Sequence, residues 1–201
     1  MAVKQTLDGV RSVGWNRIVG AVPITVVAVW AIAWLLASNG LYYGAFGRIG
    51  NNPLFHLFVN NFVHKDWGHF AGNMRGWVPV GILLTLATNN RHVLLIVVVP
   101  ELLTQVVLTP INGGGVGFSS SLYAARAALL VRATGITFQN TSEEVLQSAV
   151  GTVLILACTA VFMLVFLVDP SEAGSAVSHF FGFLFGGAIE SMYVLSKYRS
   201  R

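Results

Sequence analysis

The chain has 201 residues, 55% of them hydrophobic and only 10% charged, with a formal net charge of +4. That is too apolar for a soluble domain of this length, and no clustered basic and aromatic surface supports a nucleic-acid partner. The composition is that of an integral membrane protein; its single cysteine, Cys158, excludes a disulfide within the chain.

Six apolar segments follow in chain order, at residues 18–38, 67–88, 92–109, 119–131, 145–168 and 176–195. Each has about the length of a membrane-spanning helix except the fourth, which is short. The first lacks a basic leader ending in a small-residue cleavage site and reads as a retained helix rather than a signal peptide. Between the first and second, residues 39–66 carry Tyr42, Tyr43, Phe46, Phe55, Phe58 and Phe62, an aromatic content that suits the membrane interface. With six crossings, Lys4, Arg11, Arg17, Arg91, Arg132, Lys197, Arg199 and Arg201 fall on one side, and only Arg48 and Lys65 on the other. The basic side is cytoplasmic, so both termini are expected in the cytoplasm of a multi-pass cell-membrane protein. There is no internal repeat, and residues 1–201 read as one transmembrane domain.

The fourth segment raises the chemical question, because the run GGGVGFSSSLYAA leads into it. From Ser119 to Arg132 it holds about 14 residues, or roughly 21 Å at 1.5 Å each, against a bilayer core of about 30 Å. The glycine-rich run 113–117 must then enter the membrane as a re-entrant loop, which is tolerated only where it is buried in protein or lines a wet cavity. A helix that starts there aims its free N–H groups and positive dipole end at that cavity.

A serine at an anion-stabilising helix start suggests acyl transfer, which needs a base and oxyanion donors. His179, in SHFFGFLFGG, lies near the external end of the sixth span at about the depth of Ser119. Ser178, Gly182 and Gly186 form a small-residue stripe beside it, matched on the fourth span by Ser120, Ala124 and Ala128. Packing of these stripes brings Ser119 and His179 within reach as nucleophile and general base. Tyr123, one turn below Ser119, can support the imidazole by stacking, so the arrangement is a dyad without an acid. His69 and Asn73, four apart on the second span, can join the backbone N–H of Ser119 in an oxyanion hole.

The pattern of His64, His69 and Asn73, then Gly117-Phe118-Ser119 with Tyr123, then His179 with Gly182 and Gly186, resembles the rhomboid intramembrane serine proteases over the last five spans. The resemblance implies an all-α, six-helix membrane fold with a re-entrant loop before a short fourth helix. It implies a Ser119/His179 dyad, an oxyanion hole from His69, Asn73 and Ser119, and supporting roles for Tyr123, Gly117, Gly182 and Gly186. It also implies cleavage of peptide bonds in or near the transmembrane helices of membrane-protein substrates, within the lipid bilayer, at a site open to the external side. The fifth span and residues 169–175 are then gate and cap, and no metal or cofactor is expected.

Two departures stand out: Ser120 replaces the family's usual glycine after the nucleophile, and no Trp-Arg pair is evident in the first loop. Asn60 stands where relatives often carry another histidine, while His56 reads as interfacial and His92 as cytoplasmic, neither catalytic. The alternative reading is a non-proteolytic relative that binds transmembrane helices as a chaperone or adaptor; a transporter is disfavoured by the absence of inverted repeats. Four charges lie inside the apolar spans, and the expected pairings are Arg126 with Glu190 and Arg75 with Glu101.

Overall fold

A computed structural model describes Ala28, His64 and residues 67–108, 118–138, 140–168 and 173–199. The first predicted span apart from Ala28, residues 39–66 apart from His64, and the glycine-rich run 113–117 lie outside the described residues, as does most of the predicted cap. Five helices form the described fold: α1 (Trp67–Ala87), α2 (Asn90–Leu108), α3 (Ser119–Thr137), α4 (Glu143–Val168) and α5 (Ala173–Arg199). No strand occurs among the described residues.

Their apolar periodicity explains these helices only in part. Among the described residues, Asn90–Leu108 and Glu143–Ala160 are long and apolar enough to cross a membrane. The other three helices carry polar groups on inward faces: Asn73 on α1, Ser119, Ser120 and Ser121 on α3, Ser178 and Glu190 on α5. The outward faces of α2 and α4 are apolar, with Val98, Val106, Ile155 and Leu156 exposed.

Helix α3 sits at the centre and packs on each of the other four, most extensively on α5. The two small-residue stripes meet there. A Cβ at Gly182 would lie 2.8 Å from the Cα of Ser120, and one at Gly186 would lie 2.6 Å from the Cβ of Ala124. Only glycine permits this approach, and without a hydrophobic drive between helices in lipid, such close packing is a main source of association.

The structure corrects the expectation of a short fourth helix. Helix α3 runs 19 residues to Thr137, the same length as α2. The apolar run stops at Val131, but Arg132 does not end the helix. Its guanidinium reaches across to Glu190 of α5 and donates to the carbonyl of Ala87 at the end of α1, 3.2 Å away.

That contact also overturns the predicted charge pairs. Glu190 is fully buried and bound by Arg132 and by His92 Nε2 of α2, the latter at 2.5 Å, and no contact joins it to Arg126. Glu101 is buried and held by Gln105 and by the serines that begin α3, while Arg75 is exposed. Helical spacing along one chain could not foresee donors supplied from a third helix. His92, expected in the cytoplasm, is buried against Glu190 and packs its ring on Tyr193 at 4.3 Å.

Two outcomes follow for thermal unfolding in detergent. Gly186→Val, forced against Ala124, is expected to cost about 1–3 kcal/mol by overpacking, while Gly72→Ala, where nothing lies within 4 Å, is neutral. Glu190→Gln and Arg132→Gln each destabilise by about 3 kcal/mol by leaving a buried partner uncompensated, and the double variant costs less than their sum.

Candidate active site

Ser119 is the first residue of α3 and is 6% exposed. The residue before it, Phe118, offers no side-chain cap, so the free N–H groups of the helix start depend on other elements. His64 Nε2 accepts from the Phe118 N–H at 3.5 Å, and Glu101 of α2 accepts from the Ser121 N–H at 3.1 Å. The N–H groups of Ser119 and Ser120 have no protein partner among the described residues. They point to the same end of α3 as its positive dipole.

Glu101, expected to pair with Arg75, instead meets the start of α3. Its carboxylate accepts from the hydroxyl of Ser120, from the N–H and hydroxyl of Ser121, and from Gln105 Nε2 at 3.0 Å. The Ser121 hydroxyl also lies 2.9 Å from the Val97 carbonyl. The three serines therefore divide their work: Ser120 and Ser121 anchor the helix start on α2, and the Ser119 hydroxyl has no hydrogen-bond partner among the described residues. The available signal was the pairing of one acid in an apolar span with surplus serines, including one where the rhomboid pattern has glycine.

His179 lies on α5 one turn before Gly182, the residue seated on the Ser120 backbone, so the close helix contact carries it toward Ser119. Its ring stacks on Tyr123, with centroids 4.4 Å apart and planes 16° from parallel. Its Nε2 is buried and has no hydrogen-bond partner, and no hydrogen bond joins it to Ser119. Arg126 lies over the same Tyr123 ring, 4.9 Å from its centroid.

From α1, Asn73 presents a buried Nδ2 that is likewise without a partner. His69 is half-buried, with its ring 5.4 Å from that of His64. The structure thus brings Ser119, Tyr123, His179, Gly182 and Gly186 together at the α3–α5 contact, and carries His69 and Asn73 on the adjoining α1. Gly117 lies outside the described residues. Chemically, the site offers a hydroxyl, a ring nitrogen with a free lone pair or proton, and unused amide donors around one helix start. Among the described residues no cluster of acidic, histidine or cysteine side chains has metal-binding geometry.

The Rhomboid domain family model matches residues 51–196. The chain belongs to the rhomboid family. With its apolar helices, that membership makes it a membrane protein. No curated protein and no solved structure matches it.

The clamp on the helix start can be measured. Glu101→Ala leaves several buried donors unmet and is expected to cost about 3 kcal/mol in detergent unfolding, whereas Ser120→Ala costs about 1 kcal/mol. In the double variant the cost of Ser120→Ala should disappear; a fully additive pair of losses would mean that the two side chains do not work together.

Proposed function

We propose that the protein is an intramembrane serine endopeptidase that cleaves peptide bonds in or near the transmembrane helices of other membrane proteins. The observation that carries this reading is the stacked Tyr123–His179 pair, which holds an unpartnered buried ring nitrogen beside a helix that begins with a serine. The family supplies the class of chemistry, and the residues supply the parts.

In this mechanism Ser119 Oγ attacks the scissile carbonyl carbon while His179 Nε2 takes the hydroxyl proton. The carbonyl oxygen becomes an oxyanion, met by the Ser119 N–H, the Asn73 amide and the His69 ring N–H. As the C–N bond breaks, the imidazolium returns its proton to the departing amine and leaves an acyl ester on Ser119. Water then attacks the ester with His179 again as base, releasing the new carboxyl end and restoring the serine. Stacking on Tyr123 fixes the imidazole plane where a third catalytic residue would otherwise hold it. No metal or cofactor takes part.

The architecture that goes with this reading has six spans, the first formed by residues 18–38, and a loop at 113–117 that enters the membrane from outside. Both termini lie in the cytoplasm of the cell membrane and the active site opens to the external face. The runner-up, a helix-binding relative without activity, draws on the missing hydrogen bond between Ser119 and His179.

A serine-directed fluorophosphonate separates the two. Wild-type protein should be labelled and should cleave a single-span substrate in detergent; Ser119→Ala should lose both, and Ser121→Ala should retain labelling. Tyr123→Ala should slow cleavage without abolishing it, and Asn73→Ala should lower kcat by about 100-fold or more. Labelling that persists in folded Ser119→Ala overturns the assignment of the nucleophile. Wild-type protein that binds transmembrane helices yet is never labelled and never cleaves belongs to the runner-up.

A further inference from the structure

Arg126 is a charged residue near the middle of α3 with no carboxylate partner among the described residues. Its guanidinium lies over the Tyr123 ring, 4.9 Å from the centroid, and is exposed. A Cβ on Gly76 of α1 would lie 3.3 Å from one of its terminal nitrogens, so the absence of a side chain at Gly76 leaves the notch it occupies.

Its direction follows from the helix. Leu122 packs toward Gly76 and the α1 side, and Ala127 packs with Cys158 of α4 and Phe183 of α5. At 100° per residue, Arg126 projects about 40° from Leu122 and about 60° from Tyr123, between those two faces. Helices α1 and α4 both pack on α3, yet they are not joined to each other by any comparable contact. Arg126 therefore looks out through the gap between α1 and α4, on the same side of α3 as the Tyr123–His179 stack.

We infer that Arg126 is a specificity residue that recognises an acidic side chain in the transmembrane segment of the substrate. The inference rests on the protease reading and names the substrate class of that site. An arginine at membrane depth is costly and ordinarily pairs with an anion or reaches water; here Glu190 and Glu101, the buried carboxylates of the neighbouring helices, are engaged elsewhere. A guanidinium prefers a carboxylate because its planar fork can donate two parallel N–H bonds to it. A substrate helix that entered through the gap between α1 and α4 would pass this group.

The geometry fixes where the acid belongs. Tyr123 and Arg126 lie about 6 Å and about 10 Å below Ser119 along α3. A substrate extended at about 3.3 Å per residue covers that distance in about two to three residues, and a helical one in about four to seven. The acidic residue is thus expected between about two and seven residues from the scissile bond, on the side that continues into the membrane.

The experiment uses a single-span substrate carrying one Asp, Asn or Lys at each of those positions, with full-length protein in detergent. Wild-type protein should cleave the Asp form with kcat/KM at least about 10-fold above the Asn form at one or two positions, a factor that one charged hydrogen-bonded contact supplies. Arg126→Gln should bring that ratio close to one, and Arg126→Glu should invert it in favour of Lys. Binding of the same peptides to Ser119→Ala protein gives the same comparison without catalysis. A ratio equal in wild type and folded Arg126→Gln, by cleavage and by binding, overturns the inference and assigns the guanidinium to water or lipid phosphate. A charge-dependent binding preference without any cleavage retains the Arg126 contact and removes the protease reading instead.

Discussion

The approach of α3 to α5 is the constraint on which the rest of the structure depends. Gly182 lies on the backbone of Ser120 and Gly186 on Ala124, so the two helices touch at main-chain distance. One turn before Gly182 is His179, and immediately before Ser120 is Ser119. The same contact therefore sets the separation of the candidate base and the candidate nucleophile. Tyr123, adjacent to Ala124, is brought by it against the imidazole, which its ring then holds nearly parallel. Any side chain added at the glycines moves the site apart as well as weakening the fold.

Buried charge secures the ends of the same helix. At its start Glu101 binds Ser120 and Ser121, a carboxylate placed where the helix dipole favours negative charge. Toward its other end Arg132 binds Glu190 of α5, which also engages His92 of α2, and donates to the end of α1. Helix α3 is thus fixed at both ends by groups that would be expensive if left alone, and along its length by glycine contacts. The candidate nucleophile Ser119 sits on a rigid element, as the proposed chemistry would require.

The parts legible in the sequence were those with a local or single-helix signature. Five apolar runs corresponded to five helices, and the four-residue spacing of Gly182 and Gly186 against Ser120 and Ala124 was sufficient to orient the α3–α5 pair. The stacking of Tyr123 on His179 followed from that register. What escaped was long-range polar pairing. Arg126 and Glu190 have compatible depths, but Arg132 sits closer to Glu190 and takes it, with His92 arriving from a third helix. The length of α3 was underestimated for the same reason, because an arginine with a buried partner does not mark the end of a helix. The clamp by Glu101 required knowing that α2 faces the start of α3, which no spacing encodes.

Ser120 shows how a departure from the rhomboid pattern can be absorbed. Gly182 seats on the backbone of Ser120, so the Ser120 side chain is left for α2, where it meets Glu101. Its hydroxyl is used on Glu101, which it ties to the start of α3. Four donors surround that carboxylate, counting both groups of Ser121 and the amide of Gln105, and they spread its charge. Ser121 meets Glu101 with its own N–H, while the N–H groups of Ser119 and Ser120 have no partner among the described residues, and the buried Asn73 amide on α1 is likewise unpartnered. The helix start thus holds one buried carboxyl group as a structural anchor and leaves its outermost donors unengaged by the described residues.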